Sequence, residues 1–182
     1  PLLGIMPWNF PYYQVARFAA PNLVVGNPII LKHAPQCPES AAAIESMYRD
    51  AGFPAGTFNY LSGIGSQAGE ALSNHPLTAG ITFTGSVPVG RQLMQRMAGG
   101  AYPRPCIAEM GGKNPCIVTE HADLDRAAAG IARSAFGMGG QKCSALSRLY
   151  VHESVADALV EKLNAQIDAI NIGDARKREH WL

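Results

Sequence analysis

Nothing in these 182 residues pairs the cysteines. The four present, Cys37, Cys106, Cys116 and Cys143, have neither CxxC spacing nor the spacing of a zinc finger. A disulfide framework and a structural zinc site are therefore both excluded as the organising device. Charge is scarce and balanced, 15 basic against 14 acidic residues, which removes the footprint expected of a partner such as nucleic acid or an anionic membrane. No apolar run approaches the roughly 18–20 residues that span a bilayer, and no secretory signal is visible. Histidines 33, 75, 121, 152 and 180 lack ligand spacing, so no metal site is expected. Repeats, low-complexity tracts and charged linkers are missing too. What remains is a reduced, cytoplasmic compartment and small molecules as partners.

The chain alternates short β-rich runs with helical patterns. The predicted strands are Leu2–Met6, Ile29–Lys32, Thr57–Leu61, Gly80–Phe83, Cys106–Glu109, Cys116–Thr119 and Leu149–His152. Helical faces are expected from Ile44, Met47, Tyr48 and Ala51, from Val89, Leu93 and Met97, and from Leu124, Ala128, Ile131 and Ala135. A last face, Val155, Leu159, Leu163 and Ile167, follows a capping box of Ser154 and Asp157. Apolar strands alternating with helices predict an α/β fold with a doubly wound parallel sheet. The Gly111–Gly112 pair is the expected boundary, with residues 1–111 reading as part of a dinucleotide-binding domain.

Three residues carry chemistry. Cys143 lies in Gly-Met-Gly-Gly-Gln-Lys-Cys-Ser-Ala, where glycines let backbone close around a ligand and small neighbours leave the thiol accessible. It is either a nucleophile or an inert buried cysteine. Glu109 closes an apolar strand before Met-Gly-Gly-Lys; it can activate a water as general base, or merely be solvated or paired with Lys113. Asn9 sits between Pro7 and Pro11, which stiffen its backbone. Its amide can donate to a developing oxyanion, or make a local turn bond. Nucleophile, base and donor together are what acyl transfer through a thioester requires.

A second set suits a cofactor. Lys32 ends an apolar strand, where it can reach ribose hydroxyls or phosphate at the lip of a sheet, or snorkel to the surface. In Phe83-Thr-Gly-Ser-Val-Pro-Val-Gly90 a strand turns into a helix with Ser86 as candidate N-cap, and free N–H groups there favour phosphate. The Gly63-Ile-Gly65 turn occupies another strand-to-helix junction. Asp123 and Asp125 are expected to cap a helix.

At these motifs, and along its whole length, the chain resembles the aldehyde dehydrogenase superfamily. The resemblance implies that Cys143 is the nucleophile and Glu109 the base for thioester hydrolysis. It also implies an oxyanion hole built from the Asn9 side chain and the Cys143 N–H. It assigns NAD or NADP as cofactor, held by Lys32, Gly85, Ser86 and Gly90, with Gly65 near the adenine end and Met6 and Trp8 as further contacts. Residues 112–182 become the first part of a catalytic, thiol-bearing domain. The 182 residues are then expected to be an interior fragment of a longer, homo-oligomeric polypeptide, with the Val155–Ile167 face left without a partner. Many NAD-preferring relatives carry glutamate three residues after the lysine, where this chain has Pro35. NAD versus NADP therefore stays open, with His33 able to bias it. The Gly-Gln-Lys-Cys-Ser-Ala-x-Ser-Arg stretch is similar to pyrroline-5-carboxylate dehydrogenases, and Lys-His-Ala-Pro-Gln36 to some succinate-semialdehyde enzymes. The expected substrate is an aldehyde, with glutamate and succinate semialdehyde as candidates. Acylation of coenzyme A is the alternative, disfavoured by Glu109; a catalytically silent nucleotide-binding homologue is another, disfavoured by the three residues occurring together.

Overall fold

A computed structural model describes residues 1–99 and 101–181. The chain divides into two compact units, Pro1–Met110 and Gly111–Leu182. In the first, β1 (Leu2–Ile5), β2 (Ile29–Lys32), β3 (Phe58–Tyr60), β4 (Gly80–Gly85) and β5 (Cys106–Met110) form one sheet in the order β3-β2-β1-β4-β5. Every pairing is parallel. From the central β1 the chain steps out to β2 and β3, then crosses back to β4 and β5. The order thus reverses between β1 and β4, the place where doubly wound sheets open a crevice at their carboxyl ends.

Helices cover both faces, which is why the strands read as near-continuous apolar runs. On one side, α1 (Tyr13–Val24) and α2 (Pro38–Asp50) bury Val15, Phe18, Ala41 and Ile44 against Ile29, Leu31 and Phe58. On the other, α4 (Val87–Ala98), which follows the short α3 (Glu70–Asn74), buries Leu93 and Met97 against Leu3, Ile81 and Phe83. Two glycines set how closely the helices approach. A Cβ on Gly4 would strike the Phe18 ring, and one on Gly90 would lie 2.6 Å from Met110 Sδ and 3.1 Å from Phe83 Cε1.

The expectations are corrected at several points. α1 carries no helical signal in the sequence, because Pro11 precedes it and Pro21 lies inside it; proline is a poor helix signal except in the first turn. The α2 stripe is narrower than expected: Ile44 and Tyr48 pack inward, but Met47 is 64% exposed and Ala51 lies beyond the last helical turn. Ser86 does occupy the N-cap position of α4, but its side chain makes no capping bond.

In the second unit, β6 (Asn114–Val118) and β7 (Leu146–Val151) pair in parallel, with α5 (Leu124–Phe136) between them in sequence and α6 (Ala156–Asp168) after them. Both strands start earlier than expected. Pro115 has no N–H to give a ladder, and the register shifts there. Asp123 caps α5, accepting from Asp125 N and Arg126 N at 3.1 Å each. The capping box at Ser154 is overturned. Ser154 Oγ pairs with the His152 ring, its N–H points to the same ring, and α6 starts only at Ala156. The expectation of an unpartnered α6 face is also overturned. Leu159 is 0% exposed in a core with Val118, Ala128 and Ile131, and Leu163 packs against it. Among the described residues no helix is long and apolar enough to cross a membrane.

Because Leu159 is enclosed while its neighbour Val160 is 49% exposed, Leu159→Ala should cost about 2–5 kcal/mol. Val160→Ala should stay within about 0.5 kcal/mol. Denaturant midpoints of the two variants measure the contrast; equal losses would contradict the packing of α6.

Candidate functional site

The pleat of β2 sends Ile29 and Leu31 to the α1 side and leaves Lys32 on the α3–α4 side, at the strand's carboxyl end. There Lys32 lines a cavity of about 350 Å³ with Gly65, Ser66, Gly69, Val89 and Arg96. It is only 4% exposed, and burial lowers its pKa from the usual lysine value by disfavouring the charged form. The cavity brings together two of the sequence candidates, Lys32 and Gly65. Gly85 and Ser86 lead directly into α4, which supplies Val89, Gln92, Leu93 and Arg96 to the wall. Gly90 is a packing glycine, since its missing Cβ is what lets α4 sit on Met110 and Phe83.

Part of this wall was invisible in the sequence. Arg96 donates to Ser73 Oγ at 2.6 Å and to Glu70 Oε1 at 3.4 Å, a polar brace between α4 and α3. No motif marks it; only the helical phase of residues 92, 93 and 96 hinted that one face of α4 looks into a cleft.

His33 does not face the cavity. It is 2% exposed and both ring nitrogens are engaged: Nδ1 accepts from Ala34 N at 2.8 Å, and Nε2 lies 3.0 Å from Pro11 O. Its ring is thus committed to the backbone rather than to the cavity.

Glu109 turns to the opposite face of the sheet from Met110. With Met6, Thr84, Gln14 and Arg17 it lines a groove of about 220 Å³. Its carboxylate pairs with Arg17 at 3.5 Å, both side chains being half exposed. Met6 is buried in the core on this same face. Asn9 lies in the corner that links β1 to α1, the helix that carries Gln14 and Arg17. Trp8, in the same corner, is exposed, and its carbonyl accepts from the Cys37 thiol at 3.7 Å.

Cys143 belongs to the second unit. α5 ends in a tight turn over Gly137–Gly140, with Met138, Gly139 and Gly140 all at positive φ (57°, 62° and 72°). The chain then enters the thiol segment, where Ala145 N donates to Lys142 O. Asn114, at the start of β6, holds this segment: its Nδ2 donates to Cys143 O at 2.8 Å and to Ala145 O at 3.0 Å. No motif marks Asn114, whose two partners lie some thirty residues away. Cys143 is exposed, whereas Cys37, Cys106 and Cys116 are half-buried. Burial pushes the Cys106 thiol pKa up, away from reactivity. Among the described residues no group of three or more His, Cys, Asp or Glu side chains is placed to hold a metal ion.

Comparison with known proteins gives these geometries a context. The profile of the aldehyde dehydrogenase family matches residues 1–182. The 1-pyrroline-5-carboxylate dehydrogenase 1 of Halalkalibacterium halodurans is 42% identical over 182 residues, 98% of this chain and 35% of that protein. The succinate-semialdehyde dehydrogenase [NADP(+)] of Deinococcus radiodurans is 40% identical over 173 residues, covering 95% and 36%. A crystal structure of an E. coli NADP-dependent enzyme superposes with a TM-score of 0.95 at 39% identity, over 100% of this chain and 37% of that one. The chain thus spans about a third of the length of the relatives it matches.

The two bonds from Asn114 predict a specific effect on the thiol. Asn114→Ala removes both donors and should cost about 1–3 kcal/mol. It should also change the rate of Cys143 alkylation by iodoacetamide several-fold without altering that of Cys37. An unchanged Cys143 rate would show that the segment holds its shape unaided.

Proposed function

From the membership of this chain in the aldehyde dehydrogenase family, we propose that it carries the nucleophile, base and oxyanion donor for NAD(P)-dependent oxidation of an aldehyde to a carboxylate. The observation that supports this best is the state of the four cysteines: the exposed one is Cys143, just after a glycine turn, in a segment whose Cys143 and Ala145 carbonyls are tethered by Asn114. Residues 1–111 are read as part of the dinucleotide-binding domain and 112–182 as the opening of the catalytic one. A cytoplasmic homo-oligomer acting on a small molecule belongs to the same reading. A semialdehyde is the favoured substrate class, because the similar curated proteins are named for pyrroline-5-carboxylate and for succinate semialdehyde.

The residues around the 350 Å³ cavity fit the adenosine half of a dinucleotide. Lys32 is a buried donor at the carboxyl end of a parallel strand, able to bond ribose hydroxyls. Gly65 adds no Cβ to the wall, and the first turns of α4 close the other side. Pro35 offers neither an acceptor for a 2′-hydroxyl nor a charge against a 2′-phosphate, so NAD and NADP are both accommodated. The bound nicotinamide supplies the hydride acceptor.

The protein's own residues do the rest. Cys143 sulfur forms a bond to the aldehyde carbon while the carbonyl π pair moves to oxygen. That oxygen is held by the Asn9 amide and the Cys143 N–H, donors worth about 3–4 kcal/mol of barrier. After hydride departure the carbonyl re-forms as a thioester. Glu109 then takes a proton from water, the water oxygen bonds to the acyl carbon, and the C–S bond breaks to return the thiolate. Glu109 must first leave Arg17; a half-exposed pair of this kind contributes at most about 1 kcal/mol, so the release is easy.

Glu109→Gln separates the two halves of this cycle. In the full natural chain it should give a burst of NAD(P)H near one per active site, followed by a steady state slowed about 10²-fold or more. Full turnover would remove Glu109 from the mechanism; no burst would move its role to activation of the thiol.

A further inference from the structure

The geometry points to His33 as a positioning residue for the oxyanion donor Asn9, an inference that rests on the reaction proposed above. Asn9 lies on the irregular corner between β1 and α1. The neighbouring segment after β2 grips that corner at three places. Met6 N donates to Lys32 O at 3.2 Å, the Cys37 thiol donates to Trp8 O at 3.7 Å, and the His33 ring reaches Pro11 O at 3.0 Å. These contacts bracket Asn9 on both sides. Of the two side-chain tethers, the thiol is a weak donor in a half-buried residue at 3.7 Å, while the imidazole is buried and 3.0 Å from its acceptor.

The tautomer follows from the partners. Ala34 N–H donates to Nδ1 at 2.8 Å, so Nδ1 carries the lone pair and Nε2 carries the proton. Nε2 therefore donates to the Pro11 carbonyl, and the Ala34 bond locks the ring plane that aims it. Pro11 is a suitable anchor because its own φ is fixed, and a bond to its carbonyl restrains the whole Asn9–Pro11 turn. On the other side of the same segment, Lys32 lines the cofactor-sized cavity. Residues 32–37 thus serve two sites at once, and His33 is the member that serves the oxyanion donor. A displacement of Asn9 by about 1 Å is enough to cost up to about 10²-fold in rate.

Two substitutions divide the ring's functions. His33→Asn keeps an acceptor near the Nδ1 position but cannot reach Pro11. His33→Gln puts an amide N–H₂ near the Nε2 position and retains the Pro11 bond. In the full natural chain, H33N should slow the burst of NAD(P)H formation about tenfold or more. The dissociation constant for NAD(P)H, read by fluorescence, should stay within about twofold. H33Q should recover most of the burst, and hydrogen exchange of the backbone at residues 8–16 should be faster in H33N than in either the parent or H33Q. An H33N burst at the parental rate, or a loss shared equally between burst and cofactor affinity, would overturn the positioning role. Should H33N not fold, H33Q decides alone: parental burst supports the role and a tenfold loss overturns it. Asn9→Ala is the reference, expected to lose about 10²–10³-fold. If it keeps the parental burst, the reaction itself is misassigned; if it loses the burst while H33N does not, only the role of His33 falls.

Discussion

A parallel strand turns successive side chains to opposite faces, and the register of β1 with β2 and β4 fixes what each face receives. Shifting β2 by one residue would bring Lys32 into the core with Val15 and Phe18 and send Leu31 to the cavity. Shifting β5 would exchange Glu109 for Met110 under α4. The two openings of the first unit, the cavity lined by Lys32 and the groove lined by Glu109, are therefore separated by nothing more than strand parity. The cores on both sides hold that register: Ile29 and Leu31 on one face, Leu3, Ile81 and Phe83 on the other.

Much of this was legible in the sequence because parity and composition are local. Ile29–Lys32 was readable to the residue, since three apolar residues and a lysine lie between Pro28 and the turn that follows. The exposure of Cys143 was readable because the small residues around it are visible as such. What stayed hidden depended on partners distant in sequence. α1 was lost to its prolines; Asn114 could be appreciated only once its amide met two carbonyls some thirty residues away. His33 is a case of the same kind. As a name in a string it is a titratable group beside a strand-end lysine, and only the fold turns its ring toward Pro11. The Ser154 capping box failed because a histidine two residues upstream competes for the same hydroxyl and N–H.

The cysteines show how environment sorts chemically identical groups. One thiol is bonded to a backbone carbonyl, one is pushed up in pKa by burial, one is half-covered in β6, and one is exposed just after a turn of positive-φ residues. The carboxylates are sorted by position rather than by pairing: Glu70 with Arg96 at 3.4 Å and Glu109 with Arg17 at 3.5 Å are both about half exposed, but Glu70 braces two helices and Glu109 lies near the carboxyl end of β5.

The turn before Cys143 is unevenly open to change. Met138 shows that a side chain is tolerated there at a φ of 57°. At Gly140, with φ at 72°, a Cβ would also lie 3.0 Å from the Ala135 carbonyl oxygen, a backbone atom that cannot swing aside. For a library meant to reshape the approach to the thiol, diversity therefore belongs at 138. Randomising 140 would strain the turn in most clones.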